Sequence, residues 1–108
     1  MSASQSDLLE KILKAVFASQ SAGITSLTVG TTSVKILSSN SLRRGAIVYN
    51  SINANLFLAL GVAANNTTRC SFFMTNQSHL ILPLPIYTGD IFAMRTAGSG
   101  IIAVTEIT

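Results

Sequence analysis

At 108 residues the chain has room for one compact domain, and 48% hydrophobic against 10% charged residues excludes a disordered chain. A single cysteine, Cys70, excludes a disulfide framework, and the formal charge is +3. Ordinary soluble domains carry about 25% charged residues, so Ser, Thr and Asn must cover this one, and the apolar excess points to buried contacts between subunits.

In chain order, the first signal is helical. Leu8, Leu9, Ile12, Leu13, Val16 and Phe17 recur at the spacing of one helix face, with Asp7, Glu10, Lys11 and Lys14 on the other. Ser4 followed by Asp7 has capping-box spacing, and Ser6 competes as the N-cap. Gly23 reads as the stop, and the polar stretch Ser19–Gly23 as a flexible joint. Residues 1–23 are therefore expected to form an amphipathic helical arm, with residues 24–108 as a separate β-sandwich domain. The six apolar residues of the arm are the candidate protein interface. A helix this short is marginal alone in water and must pack somewhere.

Strand signals follow at Ile24–Val29, Ser33–Leu37, Gly45–Tyr49, Leu56–Leu60, Arg69–Thr75, His79–Leu84, Ile91–Arg95 and Ile101–Ile107. Short runs recurring every 8–12 residues, with no helical pattern between them, predict an antiparallel β-sandwich of about eight strands, jelly-roll-like. Pro83 and Pro85 remove ladder donors and place His79–Leu84 at a sheet edge. Ala46–Tyr49, Leu56–Leu60 and Ile101–Val104 are apolar on both faces. An antiparallel sandwich buries only one face of each strand, so the second face requires cover from the arm or a neighbouring subunit. Ala97-Gly98-Ser99-Gly100 reads as a hairpin loop.

The chain offers little chemistry. Asp90 and Glu106 have no spacing that makes them a carboxylate pair, and His79 lacks a nucleophile-elbow pattern beside it. Cys70 is expected to pack in a strand as a small hydrophobe. The residues predict no catalytic site, no cofactor and no metal centre. The β region's bases, Lys35, Arg43, Arg44, Arg69 and Arg95, are scattered along the chain, which makes nucleic acid an unfavoured partner and suits an acidic protein surface instead. No run reaches the 18 or so apolar residues of a membrane-spanning helix, and the N-terminus lacks a signal-peptide pattern, so the expected setting is a reducing cytoplasm with no membrane contact.

Arg44-Gly45-Ala46-Ile47-Val48-Tyr49-Asn50, followed by Asn55-Leu56-Phe57-Leu58-Ala59-Leu60-Gly61, resembles a pattern in small tailed-bacteriophage virion proteins. Leu84-Pro85-Ile86-Tyr87-Thr88-Gly89-Asp90-Ile91 resembles their proline-rich edge and Tyr-Thr-Gly turn, and Ala103-Val104-Thr105-Glu106-Ile107 their last strand. The resemblance implies a structural virion protein, foremost a capsid cement or decoration protein. It would be assembled in the host bacterial cytoplasm as a homo-oligomer, a trimer on three-fold positions, against the major capsid protein. The alternatives are a phage fibre or tail accessory protein, or a module that binds carbohydrate or single-stranded nucleic acid.

Overall fold

The computed structural model of the chain describes residues 5–9, 21–51, 54–65 and 68–108. Eight strands account for nearly half of these residues: β1 (Ala22–Val29), β2 (Val34–Leu37), β3 (Gly45–Asn50), β4 (Leu56–Leu60), β5 (Phe72–Met74), β6 (His79–Ile81), β7 (Ile91–Arg95) and β8 (Gly100–Ile107). They form two four-stranded antiparallel sheets, sheet A in the order β1-β8-β3-β6 and sheet B in the order β2-β7-β4-β5. The pairs β1 with β8, β2 with β7, β3 with β6 and β4 with β5 nest inside one another, as in a long hairpin rolled up on itself. This is the strand order of a jelly roll.

Alternation at period two builds the core. Val29, Ala46, Val48, Ile102 and Val104 face inward from sheet A, and Ile36, Leu56, Leu58, Met74, Ile91 and Ala93 from sheet B. Leu82 follows β6 into the same core, its N–H donating to the Ala46 carbonyl at 2.9 Å before Pro83 ends the ladder. β6 is an edge strand, as its prolines require.

Several local expectations are corrected. Gly23 does not stop a helix but lies within β1, opposite Glu106; the long β8 supplies a ladder out to Ile107, and pairing overrides the weak strand preference of glycine. The Ala97–Gly100 segment is not a hairpin, because β7 and β8 belong to different sheets. β5 is shorter than expected and leaves Cys70 exposed in the preceding loop, its Sγ–H donating to the Phe72 carbonyl at 3.0 Å. Residues 5–9 are helical, so Ser6 lies inside the helix and does not cap it; the rest of the predicted helix and Ser4 lie outside the described residues.

Tyr87 explains two glycines. A Cβ on Gly89 would sit 2.5 Å from the Tyr87 Cζ, and one on Gly61 would sit 2.7 Å from its hydroxyl oxygen. The ring thus lies against two loops that need the space glycine leaves, and Gly61 also takes a positive φ of 82°. Gly89→Ala is expected to destabilise the fold by about 1–3 kcal/mol through overpacking, whether or not residue 87 is changed to Phe. For Gly61→Ala, Tyr87→Phe should relieve the steric part and leave about 1–2 kcal/mol of left-handed backbone cost. Urea unfolding of the single and double variants measures both.

Candidate assembly surface

A rolled sandwich is open at its two ends, and each end is filled by a buried arginine. Arg43 is 3% exposed. Its Nε donates to Glu106 Oε2 at 2.8 Å, Nη1 to the carbonyls of Tyr87 and Gly89 at 2.8 and 2.9 Å, and Nη2 to the Ser38 carbonyl at 2.6 Å. Asn40 completes the cluster, donating from Nδ2 to Glu106 Oε1 at 3.3 Å and accepting the Leu42 N–H at Oδ1. One planar donor fork therefore joins the β2–β3 loop, the β6–β7 loop and β8.

At the other end Arg95, 1% exposed, points inward from β7 beside the fully buried Asn50 of β3. Asn50 Nδ2 donates to the carbonyls of Ala54 and Thr75 at 2.7 and 3.2 Å, and its Oδ1 accepts a long 3.5 Å bond from Arg95 Nη1. Arg95 Nε has no partner among the described residues. These two arginines correct the expectation that the bases of the β region face an acidic partner: Arg43 and Arg95 are inside.

The residues that could have carried chemistry are kept apart or occupied. His79 is exposed on β6 opposite Tyr49, at the Arg95 end, whereas Asp90 precedes β7 at the Arg43 end. Asp90 Oδ1 accepts the Ser39 N–H at 2.8 Å and Oδ2 lies 3.8 Å from Lys35 Nζ. Glu106 shares the Arg43 end but is held by Arg43 and Asn40. Among the described residues no three of His, Cys, Asp and Glu gather at one point. An open depression of about 320 Å³, lined by Ser21, Ser41, Leu42, Arg43, Arg44 and Thr108, contains no acid, thiol or imidazole side chain.

The outer faces differ. Alternation turns Ala59 outward on sheet B, yet it is 1% exposed. The β4–β5 loop leaves and rejoins the sheet at the ladder ends, Gly61 N–H donating to the Asp90 carbonyl and Ser71 N–H to the Leu58 carbonyl, and between them Ala64 N–H reaches Ser33 Oγ beside β2 at 2.8 Å, over part of that face. On the second face of Leu56–Leu60, Ala59 is thus buried beside a loop tied to Ser33, whereas Phe73 on that face is 55% exposed. Phe57 and Phe73 pack together on the same face with ring centroids 5.2 Å apart.

Sheet A has no such cover among the described residues. Its register sets Ile24, Thr105, Ile47 and Ile81 in one row across four strands, and Ser26, Ala103, Tyr49 and His79 in the next. Thr28 and Ile101 flank these on one side, and Ala22, Ile107 and Gly45 on the other. Ile24 is 73% and Ile81 63% exposed. The face holds no Asp, Glu, Lys or Arg. The two-faced pattern of Ala46–Tyr49 and Ile101–Val104 signalled its centre; Ile24 and Ile81 became visible only once the register brought their strands alongside.

Of the arm's six candidate residues, Leu8 and Leu9 are 59% and 47% exposed. Ile12, Leu13, Val16 and Phe17 lie outside the described residues. The core cluster closes without Leu8 or Leu9. No family model, curated protein or solved structure matches the chain.

Single changes of His79, Cys70 or Asp90 to Ala are expected to leave assembly intact. Asp90→Ala should cost about 1 kcal/mol, because its exposed carboxylate ties one loop to Ser39. Light scattering and urea unfolding of the three variants provide the check.

Proposed function

We propose that this protein is a structural assembly protein of a virion, a cement or decoration protein that stabilises a bacteriophage head through symmetric protein–protein contacts. The carrying observation is the outer face of sheet A, four strands wide, rich in isoleucine and alanine with uncharged polar residues and His79 among them, and without Asp, Glu, Lys or Arg. Such a face loses little on leaving water and gains about 25 cal/mol for each Å² of apolar surface covered. Its partner, by the same chemistry, is another apolar protein surface, here the major capsid protein.

Two further observations support the reading. Several polar side chains are consumed internally: Glu106 by Arg43 and Asn40, Arg43 by Glu106 and three carbonyls, Asn50 by two carbonyls and Arg95. The jelly roll is also an architecture found in viral capsid domains, although a fold alone does not assign a function. The segments that resemble phage virion proteins meet in space, where Tyr87 packs on Gly61 and Gly89. Those motifs therefore serve the fold and leave the faces free for contacts.

Labelling purified particles with an antibody against this chain should give a regular array over the head; unlabelled particles would contradict the assignment. The double variant Ile81→Lys/Ile101→Lys, which places charge on the exposed outer face, should retain its circular dichroism and lose particle binding. A chain starting at Ser21, which keeps the Ser21 to Thr108 backbone bonds, is expected to stay folded and to bind particles more weakly, since Leu8 and Leu9 are exposed and outside the core. Unfolding of that chain would instead place the arm in the domain's own core.

A further inference from the structure

Four strands lie at sheet edges, and three of them carry features that discourage pairing with another chain. β2 is four residues long, bears Lys35 and has a register shift between Lys35 and Leu37. β5 and β6 are three residues each, and Pro83 and Pro85 follow β6. β1 carries none of these features. It runs eight residues, Ala-Gly-Ile-Thr-Ser-Leu-Thr-Val, with no charge and no proline. Its register with β8 is unbroken from Ala22 opposite Ile107 to Val29 opposite Gly100. Along its other side no described strand is bonded to it, and its side chains are exposed as far as Ser26.

The backbone direction of that free side follows from one pair. Ser21 and Thr108 exchange both N–H to carbonyl bonds, at 3.2 and 2.9 Å. In an antiparallel ladder such pairs alternate, so Gly23, Thr25, Leu27 and Val29 also bond to β8, while Ala22, Ile24, Ser26 and Thr28 turn their N–H and carbonyl groups to the free edge. Val29 is buried in the core, so the same four residues carry their side chains on the outer face of sheet A.

We propose that β1 pairs antiparallel with β1 of a second copy, about a two-fold axis passing beside Thr25, and joins the two A sheets into one continuous sheet. The free groups fit that register. Ala22 lies opposite the partner's Thr28 and Ile24 opposite the partner's Ser26, and the reverse pairs complete the set, so every free N–H and carbonyl of the four residues is used. The two Ile24 side chains become diagonal neighbours about 7–8 Å apart between their α-carbons, within mutual reach. A second copy suits this edge better than a foreign strand because the register is self-complementary and no charge selects another partner. An isologous contact of this kind closes as a dimer, not as the three-fold ring that the resemblance implies. The pairing does not depend on the virion assignment: a chain that pairs but never labels particles overturns the function and leaves the pairing in place.

The test combines mass with backbone protection. Wild-type protein at micromolar concentration should scatter light as twice the 11.4 kDa chain. Ile24→Lys/Ser26→Lys sets lysine against lysine at both central pairs and should be monomeric with unchanged circular dichroism. Ile24→Lys/Ser26→Glu sets lysine against glutamate and should remain dimeric. The amides of Ala22 and Thr28 should exchange at least about tenfold more slowly in the wild type than in the Lys/Lys variant, as expected when free groups enter a ladder. A monomeric or trimeric wild type, or a Lys/Lys variant that stays dimeric, overturns the proposal. Should both double variants misfold, the wild-type mass and the exchange of its own Ala22 and Thr28 amides decide it: a dimer with both amides protected supports the pairing, and a wild type with either amide unprotected refutes it.

Discussion

The fold depends on one guanidinium. Burying a cation costs several kcal/mol unless its charge and its donors are all answered. Arg43 is answered by one carboxylate and three backbone carbonyls from separate parts of the chain. Ser38 follows β2, Tyr87 and Gly89 precede β7, and Glu106 belongs to β8, so the fork holds both sheets at the end where their connecting loops cross. The Tyr87 ring, packed on Gly61 and Gly89, is held in place because the carbonyls on either side of Thr88 accept from Arg43. A lysine has the charge but not the planar fork and could not reach all these acceptors at once.

Once both ends are filled by arginines and the core by aliphatic side chains, little polar chemistry is left for the exterior. Sheet B has part of its outer face crossed by its own β4–β5 loop, anchored by Ala64 on Ser33, and leaves Phe73 exposed there. Sheet A has no comparable loop among the described residues, and its two central outer rows are isoleucine, alanine, tyrosine, serine, threonine and His79. The two outer faces thus differ in whether a loop of the chain crosses them. The β1 edge borders the face that no described loop crosses, so the proposed contact face and the proposed pairing edge adjoin.

Much of the fold was legible in the sequence for physical reasons. β4 and β7 match their expected spans, Leu56–Leu60 and Ile91–Arg95, because turn residues bound each apolar run closely. The edge position of β6 followed from Pro83 and Pro85. The roles of Arg43 and Arg95 were not legible, because neighbours in sequence give no sign of which base faces inward; their acceptors lie as far as 63 residues away. The partial cover of the second face of β4 was hidden for a similar reason. Gly61 to Thr68 reads as an ordinary turn segment, and only the bond from Ala64 to Ser33 shows where it goes. Cys70 was misplaced because β5 stops at Phe72, where the β4 ladder ends at Leu58.

The most direct test of this account is the urea unfolding free energy of Arg43→Lys beside that of the wild type. Replacing a buried fork that makes four bonds with an ammonium leaves carbonyls and Glu106 incompletely paired in the interior, and the expected loss is about 3 kcal/mol or more. A loss below about 1 kcal/mol, the range of an exposed ion pair, would show that Arg43 does not hold the sandwich closed.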